Sequence, residues 1–266
     1  MSDEDDTERV VGAERVLAVL VELAQHADGV GLDELAHRMR SSKPTVHRAL
    51  ASLRRAGLAD QVARGVYRLG DEYLRLAFQH QAARPEGARL EPVLRQLAER
   101  YGETAHYAVL EGSDVVYRAK VDPPAGSVRL TSQIGGRNPA YLTAVGKLLL
   151  SRQVASEAEL HAWLGDRPLE ARTPRSITSV SALWTELART RERGFGIDDQ
   201  ENEVGINCVA VPAQPDPLGA PGAVSISALA FRLPLERLIG EVPRIRAAVE
   251  TALDVRAAGD GIGADQ

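Results

Sequence analysis

Ser41–Leu58, SSKPTVHRALASLRRAGL, decides how the N-terminal part of the chain folds. Ser42 stands two residues before Pro44, and a serine cap followed by an early proline marks a helix start, because proline lacks the amide that would be orphaned there. From about residue 43, Val46, Leu50 and Leu53 make one apolar stripe, and Gly57 supplies a left-handed exit. Thr45, His47, Arg48, Ser52, Arg54 and Arg55 fall on polar faces, so the outward side is basic and rich in donors.

Working outward, Ala13–Gln25 carries Val16, Leu17, Val19, Leu20, Leu23 and Ala24 at helical spacing and stops at Asp28-Gly29. Leu32, Leu35, Ala36 and Met39 give a short second helix that ends in the polar turn Arg40-Ser41-Ser42. Downstream, Leu58, Val62 and then Val66–Leu69 read as extended runs around Arg64-Gly65, a β-hairpin with an arginine at its tip. Helix, short helix, tight turn, basic helix and basic hairpin is the order of a winged helix-turn-helix, whose second motif helix enters the DNA major groove.

Charge supports this expectation. The chain of 266 residues has a net charge of -5, which by itself disfavours a nucleic-acid partner. Between Arg38 and Arg68, however, eight Lys/Arg face a single acid, Asp60. The positive charge is therefore concentrated where the motif lies.

Reach divides the roles. Ser41, Ser42 and Thr45 at the helix start suit phosphate contacts, where free amides also attract anions, and Lys43 adds charge. Thr45, Val46, His47 and Arg48 lie early on the helix, closest to base edges, and Arg48 suits a bidentate contact to guanine. Arg54, Arg55, Arg64 and Arg68 suit the DNA backbone. His47 has a second reading, as a cap or packing residue against the second helix, and the whole module has another, as a protein-docking winged helix.

Asp71–Ala83 continues as a helix with Tyr73, Leu74, Leu76, Ala77 and Phe78, broken by Arg84-Pro85-Glu86-Gly87. Its apolar residues need either the core of the same domain or a symmetry mate, and the latter suits a dimer on a pseudo-palindromic operator. Beyond the break the pattern changes to α+β. A helix over Glu91–Arg100 precedes strands Thr104–Leu110 and Val115–Val121, with a third strand at Val128–Thr131. A glycine-rich loop, Ile134–Ala140, leads into a helix over Thr143–Ser151. It is no phosphate-binding P-loop, because Tyr141 and Leu148 stand where that motif requires glycine and Ser/Thr. Helices Glu157–Leu164 and Ser179–Arg193, strands near Ile197, over Ile206–Val211 and over Ala223–Phe231, and a closing helix Leu235–Val255 complete the unit.

Other classes are disfavoured. Met1–Glu8 holds five acids and no apolar run, so a solvated tail is expected there rather than a secretory signal. One cysteine, Cys208, makes no internal disulfide, and no cluster suits zinc. No apolar run approaches a membrane span. A cytoplasmic protein without cofactor or metal is expected.

The order of elements resembles the IclR family of bacterial transcriptional regulators over about residues 10 to 256. The resemblance is carried by SSKPTVHRALASLRRAGL at Ser41–Leu58, GGRNPAYLTAVGKLLLS at Gly135–Ser151, GFGIDDQENEVGINCVAVP at Gly194–Pro212 and GAVSISAL at Gly222–Leu229. It implies a GAF-like effector domain with a mainly antiparallel sheet, dimers or dimers of dimers, and a pocket using Ala144, Val145, Asp198, Cys208, Ser225 and Ser227. Amides at a helix start and two serines on one face of a strand suit a small carboxylate, and Asp198 suits a hydroxyl or amine. Leu148, Gln200 and Asn202 depart from the commoner family pattern. Each pocket residue also has a plain structural reading: Cys208 as a small buried hydrophobe, the serines as partners of backbone groups, Asp198 as a turn cap.

The implied layout is an acidic disordered tail over 1–9, a winged helix-turn-helix over 10–70, a linker helix over 71–84, an effector-binding domain over 85–258 and a flexible tail over 259–266. The implied function is a DNA-binding regulator whose affinity for double-stranded DNA follows a small organic acid; the sign of regulation is not legible. A small-molecule enzyme using Asp198 with Cys208 or Asp199 is the second class, but neither GxSxG nor HExxH occurs, and only His106 and His161 fall in the second domain.

Overall fold

The computed structural model describes residues 12–83, 86–123, 130–165, 167–215 and 219–260, the backbone alone for 80–83, 86 and 255–260. The tail expected over 1–9 lies outside these residues, as do Arg84 and Pro85 of the expected break. The chain divides into two compact units, residues 1–84 and 85–266.

Unit 1 contains α1 (Gly12–Leu23), β1 (Val30–Gly31), α2 (Leu32–Arg38), α3 (Lys43–Arg55), β2 (Ala59–Ala63), β3 (Val66–Leu69) and α4 (Asp71–Ala83). Val19 and Leu23 of α1, Leu35 and Ala36 of α2, and Val46, Ala49, Leu50 and Leu53 of α3 meet in one core, closed by Ala59 and Tyr67 from the strands. The strands form a small antiparallel sheet in the order β1-β3-β2. Gly57 takes φ +71 where the chain leaves α3, and Gly65 takes φ +74 at the hairpin tip. Ser42 is the N-cap of α3 with Pro44 in its first turn, yet its hydroxyl bonds the Thr45 hydroxyl at 2.8 Å instead of a backbone amide. Arg40, in the turn between α2 and α3, adopts φ +45, a conformation that side chains disfavour.

Unit 2 contains α5 (Glu86–Tyr101), β4 (Thr104–Glu111), β5 (Asp114–Val121), β6 (Arg137–Pro139), a 3-10 turn (Ala140–Leu142), α6 (Ala144–Gln153), α7 (Glu157–Leu164), α8 (Val180–Arg193), β7 (Gly196–Asp199), β8 (Ile206–Ala213), β9 (Gly222–Leu229), α9 (Leu235–Gly240) and α10 (Val242–Asp260). A six-stranded antiparallel sheet, β6-β5-β4-β9-β8-β7, separates two cores. On one face Leu90, Leu94 and Leu97 of α5 and Leu238, Ile245 and Val249 of α9 and α10 cover Tyr107, Val209, Val224 and Ile226. On the other, α6, α7 and α8 cover Ala108, Ala210 and Ala223. Successive side chains alternate across a strand, so Ser225 and Ser227 share the second face with Ala223.

Four expectations change. Leu130 and Thr131 are not in a strand, and Val128 and Arg129 lie outside the described residues. The sheet edge is instead β6, inside the glycine-rich loop, where Pro139 is tolerated because an edge strand needs fewer donors. Helix α5 starts at Glu86, five residues before the apolar pattern suggested. The single closing helix is two, since Pro243 donates no amide and sits in the first turn of α10, where none is needed. Residues 259 and 260, expected in a tail, are helical, and 261–266 lie outside the described residues.

Candidate nucleic-acid interface and ligand cavity

The outward face of α3 presents His47, Arg48, Arg54 and Arg55, all exposed, and Arg64 and Arg68 are exposed on the hairpin. Val46 is fully buried, so this residue, expected near the bases, packs inside because its position repeats with Leu50 and Leu53. Lys43 is tied to Asp33 at 2.8 Å, which compensates its charge. Among the described residues no carboxylate comes within ion-pair distance of Arg48, Arg54, Arg55, Arg64 or Arg68. Arg54 donates to the Gln61 side chain at 3.1 Å and Arg55 to the Ser52 hydroxyl at 3.0 Å, both neutral. Arg54, Arg55 and Arg68 line one depression beside β2. Ser41 and Thr45 are half-buried and Ser42 exposed at the helix start, and His47 makes no side-chain hydrogen bond among the described residues.

In unit 2, Ala144, Val145, Asp198, Cys208, Ser225 and Ser227 all line one cavity of about 480 Å³. The register explains the convergence: Asp198 lies opposite Cys208, and Cys208 opposite Ser227, in one row across β7, β8 and β9. The Thr143 hydroxyl accepts from the Gly146 amide, which leaves the amides of Ala144 and Val145, the first two of α6, without intrahelical partners. The close approach of β7 to this helix start depends on Gly196, where a Cβ would fall 1.9 Å from the Ala144 carbonyl oxygen.

Asp198 Oδ1 accepts from the amides of Glu201 at 2.7 Å and Asn202 at 3.3 Å, so it caps the β7–β8 turn while lining the cavity. Burial pushes its carboxyl up to about 7, against the opposing pull of Lys147 and of these amides. The Cys208 thiol donates to the Ser227 hydroxyl at 3.1 Å, and burial, then the Asp198 charge, pushes it well above its ordinary value. Such a thiol is no nucleophile near neutrality. Burial lowers His106 to about 3, so its ring is neutral, and raises Tyr117 to about 12. Fully buried Lys147 of α6 pairs with Glu201.

The structure adds cavity residues that the sequence reading missed, among them His106, Tyr117, Asn138, Arg172 and Glu203. The alternation along β4 that buries Ala105 and Tyr107 on one face places His106 on the other, which was a usable signal. Arg172 stands in a segment without periodicity and had none. Asn202, singled out as a departure from the family pattern, lines the cavity too. Among the described residues no group of His, Cys, Asp and Glu suits a metal ion, and no helix is long and apolar enough to cross a membrane.

A winged helix-turn-helix with unpaired arginines on its recognition helix and wing defines a DNA-binding protein. Residues 12–63 match the IclR helix-turn-helix domain, and residues 87–254 match the C-terminal domain of bacterial IclR transcriptional regulators. The transcriptional regulator XynR of Escherichia coli is 32% identical over 84% of this chain and 88% of its own length. An IclR regulator from Alicyclobacillus acidocaldarius superposes with a TM-score of 0.73 at 26% identity, over 91% of this chain and 95% of that one. A more distant IclR homologue from Microbacterium hydrocarbonoxydans, solved in complex with 4-hydroxybenzoate, shares the fold at a TM-score of 0.71 and 21% identity, over 90% and 99% of the two chains. This chain belongs to the IclR family and is a DNA-binding transcriptional regulator.

Proposed function

We propose that a small organic acid bound in the unit 2 cavity controls the affinity of unit 1 for a pseudo-palindromic operator. The observation that carries this reading is the convergence of the Asp198–Cys208–Ser227 row, Ser225 and the start of α6 on one cavity. Neutral hydroxyls and helix-start amides suit a carboxylate, and a partly protonated Asp198 tolerates one. That the same fold holds 4-hydroxybenzoate in a distant relative supports the ligand class.

Residues 10–70 are the proposed DNA-binding domain, 71–84 the linker helix and 85–258 the effector domain. Arg48 reads bases, with Thr45 and His47 beside it. Ser41, Ser42, Lys43, Arg54, Arg55, Arg64 and Arg68 hold the backbone. The exposed side chains of α4 join two copies, and the protein acts in the cytoplasm. Catalysis finds no support: Cys208 is held neutral with a serine as partner, and His106 stays a neutral ring near pH 7.

The test is titration of the purified protein against fluorescent DNA flanking its own gene, across a salt series, with and without organic acids. Specific, salt-steep binding that one acid alters is expected; absence of any DNA binding at low salt would sink the reading. Arg48→Ala is expected to lose about 1–3 kcal/mol of base preference, whereas Arg64→Ala weakens all sequences alike. Equal effects of both variants on every sequence would overturn this division of roles.

A further inference from the structure

We infer that the mouth of the cavity holds a second anion subsite, built on Arg172, and that the effector is a small dicarboxylate rather than a monocarboxylate. This rests on reading the cavity as the effector site.

Arg172 lines the same cavity as Asp198 and Ser225. Its Nη1 donates to Asn138 Oδ1 and to Asn202 Oδ1, each at 2.7 Å. One amide comes from β6 and the other from the β7–β8 turn, so the guanidinium is held between two sides of the mouth. Both acceptors are neutral, and its remaining N–H groups find no acceptor among the described residues. The other charged groups on the lining do not neutralise it. Arg137 is itself a cation and is tied to Glu111 at 2.8 Å, Glu203 forms no ion pair among the described residues, and Asp198 is turned to the amides of its own turn. A fixed, uncompensated guanidinium fork matches the geometry of a carboxylate.

Bracing the segment around it does not explain the arginine. The Thr173 hydroxyl donates to the Gln200 carbonyl and the Ser176 hydroxyl to the Glu201 carbonyl, both at 2.7 Å, and these already pin the segment to the β7–β8 turn. Burial orders the lining: Ser225 and Asp198 are buried, Tyr117 is half-buried and Arg172 is exposed. Asn138, held through its Oδ1 by Arg172, donates from Nδ2 to the hydroxyl of Tyr117 at 3.2 Å. The Tyr117 ring packs on His106 at 4.8 Å between centroids. The lining therefore runs from the buried Ser225 and Asp198, past the half-buried Tyr117, to the exposed guanidinium of Arg172. A molecule with one carboxylate for each end and a short carbon middle satisfies both.

The test is calorimetric titration of the full-length protein, at constant ionic strength, with succinate, glutarate, adipate, terephthalate and the monoamide of each. The best diacid is expected to bind about tenfold or more tightly than its monoamide, the scale of one charge-assisted hydrogen-bonded contact. Arg172→Gln should bring that ratio below about twofold by weakening the diacid more than the monoamide, and Arg172→Lys should retain part of it. A wild-type protein that binds diacid and monoamide alike overturns the subsite, as does an Arg172→Gln variant that weakens both equally. Failure of every diacid to bind also overturns it. The effector reading itself fails separately, if no acid of any class changes binding to the DNA flanking the gene.

Discussion

With its carboxyl pushed up to about 7, Asp198 changes charge in a range where small organic acids are already ionised. Its value in the folded protein lies above its ordinary 3.8, so the folded state holds the proton more tightly than the unfolded chain. The stability this contributes is complete below 3.8 and is lost as pH rises through about 7. Thermal unfolding followed between pH 5 and 8 is expected to show falling stability, and Asp198→Asn should flatten the profile. An unchanged profile in the variant would assign the effect to another group. The same ionisation should weaken carboxylate binding as pH rises, because the ligand then meets a like charge. Of the six cavity residues implied by family resemblance, period-2 alternation places Ser225 and Ser227 on one face of β9, whereas Asp198 and Cys208 join them through the cross-strand register and Ala144 and Val145 from the start of α6. Val46 was readable twice, as a helix-face residue near the DNA and as a stripe residue, and its full burial decides for the stripe. Arg172 was not readable at all. Its place depends on Asn138 and Asn202, 34 and 30 residues away, and no local pattern encodes such contacts.

At the scale of elements, α6 is the piece that brings sheet, cavity and buried charge together. Gly146 lets it pack on the preceding turn, where a Cβ would lie 2.1 Å from the Ala140 carbonyl oxygen, and Gly196 lets β7 approach its start. Both obstacles are backbone, so a side chain there forces a shift of the whole element. Gly196→Ala is therefore expected to destabilise unit 2 by about 1–3 kcal/mol or more through overpacking, read as a lower melting temperature, and to loosen the cavity. A variant that melts with the wild type and binds acids equally well would show that β7 and α6 move apart freely. Helices with apolar stripes were legible; of the caps, Ser42 stands at the start of α3 without bonding an amide, whereas Ser156 and Ser179, not singled out in the sequence, accept from the Glu159 and Ala182 amides. Elements that depend on pairing partners were not. The sequence around Gly135 reads as a loop, and only the neighbouring edge of β5 turns Arg137–Pro139 into a strand. Pro243 marks the break before α10, but the apolar pattern runs across it and reads as one helix.

For the whole molecule, the deciding feature is α4, whose Leu74 and Phe78 are 50% and 66% exposed. They stand four residues apart, on one face of the helix. Tyr73 and Leu76 are also exposed, so the core of unit 1 does not absorb the apolar residues of this helix. The sequence offered two partners for them, that core or a second copy, and the exposure supports the second copy under the proposed dimer. Operator binding supplies a measurable consequence. Each copy that neutralises phosphates releases counterions, and the slope of log affinity against log salt scales with the number of phosphates neutralised. A dimer on two half-sites has twice the slope of one copy on one half-site. Leu74→Glu/Phe78→Glu places two like charges in the proposed interface and should shift the protein to monomer in sedimentation. The salt slope on the full operator should then fall to about half, while the melting of each unit stays unchanged because neither residue is in a core. Arg64→Ala should instead leave the protein dimeric and lower the slope by about one for each copy. If the α4 variant remains an oligomer with the wild-type slope, α4 is not the surface that joins two copies.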